Sequence, residues 1–134
     1  FAPDLDLDEL RVVPTLTLSE TDDLLLPLRW VALLEGRVDT GLAVTSGVHD
    51  AAGVAKALLA GADVAMMASA LLRHGPGLVA TVLADLRSWM AEREYDSVDQ
   101  LRGSVSARGV ADPAAYIRSN YLQALTSYAS TFPT

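Results

Sequence analysis

Apolar and polar positions alternate at the start of the chain. Leu5 and Leu7 are set among Asp4, Asp6 and Asp8, and Leu16 and Leu18 among Thr15, Thr17 and Ser19, a period of two that predicts short, half-exposed strands. A hairpin turning near Asp8 and Glu9 fits this pattern. Pro27 then stands where a helix can begin without losing a hydrogen bond, and helix formers continue to Gly36, which predicts a helix over 24–35. The run Gly41 to Thr45 is short, apolar and without alternation, the pattern of a strand buried on both faces, here over 40–45. Ser46-Gly47-Val48-His49 follows as a loop. Asp50 is placed to cap a helix that runs to Ala60 and stops at Gly61. A second apolar run, Ala62 to Met67, completes strand, helix, strand at the spacing of a βαβ unit, which requires a parallel sheet with helices packed outside it.

Beyond Met67 the pattern is helical. Ser69 to His74 predicts a very short helix, capped by Ser69 and stopped by Gly75 and Pro76. A longer one follows, with Leu78, Val79, Val82, Leu83, Leu86, Trp89 and Met90 on one face. Ser97 to Gln100 has the form of a capping box, and Asp112-Pro113 opens a last helix with Tyr116, Ile117, Tyr121, Leu122 and Leu125 on its apolar side. Trp30 and Trp89 lie on apolar stripes and are expected in the core. Met66 and Met67 are expected to face alternately inward and toward a helix.

Composition narrows the classes. The chain has 134 residues, 51% of them hydrophobic, so it has material for a core and about the length of one domain. Its 17 Asp and Glu outnumber its 10 Lys and Arg, and residues 1–23 alone hold 7 acids and 1 base. A single lysine, Lys56, and the absence of a basic patch exclude a nucleic-acid partner, because phosphate neutralisation needs clustered cations. No apolar run approaches the roughly 20 residues of a membrane helix, so no membrane partner is expected. Zero cysteines remove disulfides, thiolate metal sites and a cysteine nucleophile, and fit a cytoplasmic setting. The first residue is Phe1, consistent with a processed product, a fragment or part of something longer.

Candidate chemistry concentrates in two loops at the C-terminal ends of the predicted parallel strands: Ser46-Gly47-Val48 and Ala68-Ser69. A phosphate needs converging N–H donors, and barrels of eight βα units build such a site from the loops after strands 7 and 8 and the start of a short extra helix. The plainer roles are a turn glycine and a helix cap. His74, near a helix end, reads as structural, and His49 lies beside the loop or faces solvent. Two histidines without an acidic cluster at ligand spacing give no metal site. Asp4, Asp6, Asp8 and Glu9 lack the glycine and terminal Glu of a calcium loop and read as a solvated strand face. Ser19 to Asp22 offers hydroxyls and a helix start, either as a cap or as a ligand contact at a barrel mouth.

Three stretches together resemble one family. Leu26-Pro27-Leu28-Arg29-Trp30, Ser46 to His49 continuing through Leu58-Leu59-Ala60-Gly61-Ala62-Asp63-Val64, and Ala68 to Leu72 are similar to the C-terminal part of FMN-dependent dihydroorotate dehydrogenases. Tyr95 to Gly103 matches the run after the last barrel helix there. The resemblance spans about 20–128 and points to a dihydroorotate dehydrogenase-like branch. It implies an α/β fold, the C-terminal portion of a TIM (β/α)8 barrel comprising about three βα units with extra C-terminal helices. Residues 1–94 would be the last barrel units and 95–134 a helical tail on the same barrel.

The resemblance further implies that the N–H groups of Ser46, Gly47, Val48, Ala68 and Ser69 hold the phosphate of FMN. The family usually has Gly-Gly at Ser46-Gly47 and Gly-Thr or Gly-Ser at Ala68-Ser69, and it has a glycine in the loop matching Ser19 to Thr21. Its reaction oxidises a CH–CH bond of a dihydropyrimidine, with a Cys or Ser base and hydride transfer to FMN. The base, the flavin-contacting lysines and the substrate asparagines belong to earlier units, and no catalytic residue is assigned here. The implied partners are the remaining N-terminal portion of the barrel and a small-molecule substrate, and self-association into a homo-oligomer is compatible with this. A phosphate-binding barrel enzyme without flavin and a divergent non-catalytic barrel subunit are the alternatives.

Overall fold

β1 (Ala2–Asp6) and β2 (Arg11–Thr15) form an antiparallel hairpin turning near Asp8 and Glu9 as expected, with Leu5 opposite Val12 and Asp6 opposite Arg11, but the second alternating stretch, with Leu16 and Leu18, lies beyond β2 and is not a strand. Asp6 organises the turn: its Oδ1 accepts the N–H groups of Asp8 at 3.1 Å and Glu9 at 3.0 Å. Leu5, Leu7, Leu10 and Val12 remain exposed, so the ladder itself, rather than burial, holds the hairpin. The structure, a computed structural model, describes residues 2–111. The helix expected after Asp112 lies outside them.

A 3-10 turn at Thr21–Leu24 leads into α1 (Leu25–Leu34). The helix buries Val31 and Ala32, with Leu24 beneath its first turn and Leu28 against the same cluster. Trp30 points the other way and is 56% exposed, against the expectation of a core tryptophan. The buried face is set by positions 24, 28, 31 and 32, and position 30 falls outside that stripe.

β3 (Ala43–Val44) and β4 (Val64–Ala65) pair in parallel, Ala43 opposite Val64 and Val44 opposite Ala65, and α2 (Ala51–Ala60) joins them. This is the βαβ unit read from the sequence, with shorter strands. Asp50 caps α2, its Oδ1 accepting from Gly53 N–H at 2.7 Å. Gly61 ends it at φ 111°, where its N–H reaches the carbonyls of Ala57 and Leu58. A Cβ at Gly61 would overlap the Glu35 side chain, so the residue supplies both a left-handed backbone and a close approach.

The sheet is covered on one side. Leu24, Val31, Ala32, Val44, Val48, Ala57, Ala60 and Ala62 form one core cluster between strands and helices, with Leu42, Ala65 and Met67 packed against it. Among the described residues nothing covers the other face, where Val64 and Met66 are each 51% exposed. Burial on both faces, expected from the apolar runs, is therefore seen on the helix side alone. The alternation of Met66 and Met67 holds: Met67 meets the core and Met66 the open side.

Three further helices follow: α3 (Ser69–His74), α4 (Leu78–Glu92) and α5 (Val98–Leu101). Ser69 is the first residue of α3 and Ala68 occupies the cap position, so the expected serine cap is absent and the hydroxyl is free for other work. α4 buries Val82 and Leu86, while Val79 and Leu83 of the same stripe stay exposed. Ala55, Leu58, Leu86 and Leu101 make a second cluster, bordered by Trp89 and Tyr95, whose rings stack with centroids 6.0 Å apart. At the start of α5, Ser97 Oγ accepts from Gln100 N–H at 3.1 Å. The Gln100 side chain accepts from Asp96 N–H at 2.8 Å rather than from Ser97.

The segment after α5 closes the end of the unit where helices finish and strands begin. Gly103 and Val105 N–H groups bond the carbonyls of Leu58 and Leu59, and Ala107 N–H that of Ala32. Arg102 pairs with Asp63 at 2.9 Å, and the other oxygen of Asp63 accepts from Leu42 N–H at 2.8 Å. Buried Ser106 donates its hydroxyl to Glu35 at 3.0 Å. Among the described residues nothing closes the opposite end, where β3 and β4 stop.

Candidate functional site

At that open end the chain leaves the sheet through two loops, with a cleft of about 280 Å³ between them. All five residues marked for phosphate line it: Ser46, Gly47, Val48, Ala68 and Ser69. Thr17, Ser19, Thr45 and Met66 complete the wall. Among the described residues, the lining carries several hydroxyls and no charged or aromatic side chain.

Local sequence accounts for the shape. Ser46 at φ 76° and Gly47 at φ 72° are successive left-handed residues, which turn the chain sharply after β3. A Cβ at Gly47 would overlap the backbone nitrogen of Leu24, so glycine lets the 3-10 turn seat directly on the loop. Ser46 adopts this region with a side chain, a conformation uncommon for an L residue that Leu10 and Glu94 share.

The donors are largely unspent. Among the described residues, the N–H groups of Ser46, Val48, Ala68 and Ser69 meet no protein acceptor. Ser46 and Ala68 are exposed and Val48 is buried, so solvent or a ligand in the open cleft can take up these donors. The fifth, Gly47 N–H, donates to Ser19 Oγ at 3.2 Å. Ser19 thus brings its hydroxyl into the loop from the far side of the cleft. The same hydroxyl donates to Ser69 Oγ at 3.0 Å, and Ser19 N–H donates to Ser69 Oγ at 2.9 Å. His49 Nε2 lies 3.4 Å from Ser19 Oγ. A serine hydroxyl has one proton, which Ser19 gives to Ser69; the direction of its contact with His49 follows the imidazole tautomer. Ser69 Oγ, accepting twice, keeps its own proton for a further acceptor.

Glu20 and Arg73 clamp the rim. Arg73 Nη2 and Nη1 meet the two carboxylate oxygens of Glu20 at 2.5 and 3.1 Å, tying α3 to the segment before α1. These hydrogen bonds, and then the charge of Arg73, hold the Glu20 carboxyl below its ordinary value of 4.5, and His49 acts in the same direction. The same pairing raises the Arg73 guanidinium.

The five residues marked from the sequence share one cleft, but the side chains that join its two loops were not foreseen. Ser19 showed only as a possible cap or ligand contact and His49 only as a neighbour of the loop. Their meeting depends on residues 30 positions apart, which no local spacing encodes. Lys56 is exposed on α2 beside Leu28 and Leu59 and does not line the cleft. Among the described residues no group of three or more His, Asp or Glu is placed to hold a metal ion, and no helix is long and apolar enough to cross a membrane. A scan of the chain finds no matching protein-family model and no matching curated protein.

Proposed function

We propose that the chain is the C-terminal portion of an FMN-dependent (β/α)8-barrel oxidoreductase resembling dihydroorotate dehydrogenase, and that it supplies the phosphate half of the flavin site. The observation that carries this reading is the cleft itself: five residues from two strand-end loops line it, and four of their N–H groups have no acceptor among the described residues, which is the kind of loop pair from which barrels of this type bind phosphate. The parallel βαβ unit, with one sheet face uncovered, supports the same reading, since the inner face of such a barrel is filled by side chains of the other strands. The remaining N-terminal portion of the barrel is the partner that would cover it and carry the substrate groups.

The residues fit the cofactor's phosphate. Ser46, Gly47, Val48, Ala68 and Ser69 would hold it with backbone donors, and Ser69 would add a hydroxyl. When bound, FMN supplies the hydride acceptor for oxidation of a CH–CH bond in a small dihydropyrimidine-like substrate. The part of this chain is to bind and orient; the proton-abstracting base lies outside it.

A second reading, a phosphorylated metabolite without flavin, draws on the absence of an aromatic or broad apolar wall in the cleft. Flavin fluorescence separates the two. Titrating the full-length protein with FMN is expected to give saturable quenching at micromolar concentration, with riboflavin at least about tenfold weaker because it lacks the charged acceptor. Unchanged FMN fluorescence, together with a thermal midpoint raised by sugar or nucleotide phosphates alone, would replace the flavin reading with the second one.

A further inference from the structure

We propose that the N-terminal hairpin of one copy docks on the outer side of α1 of a second copy, and that the exchange is reciprocal, giving a twofold dimer. This goes beyond the reading of the cleft and stands on other residues. In the hairpin, Pro3 lies opposite Pro14 and Leu5 opposite Val12, and residues two apart share a face of a ribbon. One side is therefore wholly apolar. Leu5 is 66% and Val12 65% exposed, and Leu7 and Leu10 near the turn are more open still. A two-stranded ribbon is marginal in water on its own, so this face gains from a cover. The edges do not invite an added strand: Pro3 and Pro14 have no N–H to offer, and the Leu5 N–H is spent on Asp4 Oδ1 at 2.8 Å. The contact is made with the face.

α1 carries the other half. At about 100° per residue, Leu26 and Trp30 fall directly opposite the stripe of Leu28, Val31 and Ala32 that packs on the core, and both are exposed. The sheet lies on the inner side of α1, so units that extend it into a barrel, with helices ringed around strands, leave the outer side untouched. Within one copy the hairpin face and this stripe are both exposed, so neither covers the other. Across two copies they match in length, β1 being about 17 Å long and α1 about 15 Å. They also match in charge. Asp8 and Glu9 stand at the hairpin turn, and Arg29 lies on α1 with Arg37 just beyond its end; all four are exposed and, among the described residues, in no ion pair. Each copy offers both halves, so two contacts close the dimer. Four side chains of the hairpin, with Leu26, Trp30 and Leu34 of the helix, bring roughly 550 Å² of apolar area per copy. That is the size of a weak, reversible dimer.

Sedimentation velocity of the full-length protein over a concentration series is expected to show a monomer–dimer equilibrium with a dissociation constant on the order of 10 μM. Leu5→Asp and Trp30→Glu, both at exposed positions, are each expected to weaken association at least about tenfold, with far-UV circular dichroism unchanged. An equimolar mixture of the two variants can form one intact contact, the hairpin of the Trp30→Glu copy on α1 of the Leu5→Asp copy. The mixture is therefore expected to associate more tightly than either variant alone, and that gain shows that both are folded. A protein that stays monomeric up to about 200 μM overturns the proposal and leaves these faces to a different protein. A dimer that either substitution leaves unchanged overturns it by placing the interface elsewhere, and so does a mixture of correctly folded variants that gains nothing. FMN binding by the same samples reads the flavin proposal separately.

Discussion

The two faces of one small sheet behave differently. On the helix side, Val44 is 1% exposed and belongs to a cluster with Ala32, Ala57, Ala60 and Ala62, whose small side chains let the helices approach the strands closely. On the other side, Val64 and Met66 are half exposed. Both faces are apolar in sequence. What differs is whether the described chain carries something to lay over them, so apolarity marks a surface meant to be covered without saying by which element. Under the proposed reading the open face is barrel interior, and the cleft stands at its upper rim.

Paired substitutions test that difference most severely. Val44→Asp buries an unpaired carboxylate and is expected to abolish the cooperative unfolding transition of the full-length protein. Val64→Asp distinguishes an open face from a covered one. If the rest of a barrel lies over it, chemical denaturation will show a loss of several kcal/mol; a change within about 0.5 kcal/mol, usual for a surface site, would mean the face is open and the barrel reading is wrong. Leu101→Ala probes the second helix-side cluster. Leu101 is fully buried against Ala55, Leu58 and Leu86, and the truncation is expected to cost about 2–5 kcal/mol, measured in the same way. A much smaller loss would show that the segment after α4 is a loose appendage rather than part of the fold.

The smallest effect belongs to the rim of the open side. Glu20 has its carboxyl pKa lowered in the folded protein by Arg73, so it binds its proton less readily folded than unfolded. The contribution is present above the ordinary value of 4.5 and is lost as pH falls through the lower folded value. Glu20→Gln is therefore expected to be slightly less stable than the unsubstituted protein at neutral pH and to converge with it on acidification, in thermal melts across that range. Both partners are solvated, so the difference is modest and shrinks with salt. A difference that persisted in acid would show that Glu20 acts through packing instead.

Local signals carried much of the architecture. Asp50 and Gly61 bound α2 because a cap carboxylate and a left-handed residue act within one turn of the helix. The hairpin was legible because Leu5 and Leu7 alternate with aspartates, and the βαβ unit because apolar runs flank that helix. Where reading failed, the missing information was non-local. Trp30 sits on an apolar helix yet faces away from the buried stripe, since burial depends on where β3 lies. Ser69 looked like a cap, but its hydroxyl serves Ser19, 50 residues away. Val79 and Leu83 belong to the stripe of α4 that its described neighbours do not reach.

By itself, the order of residues determined the bounds of α2, the short α3 and the longer α4, and the loop at Ser46-Gly47, because caps, turns and strand-end glycines are governed by forces acting over a few residues. Tertiary structure alone decided that Ser19, Ser69 and His49 meet there, that Glu20 holds Arg73, and that one sheet face is buried and the other open. Those outcomes rest on contacts between segments tens of residues apart, and their geometry exists only once the helices have docked on the strands.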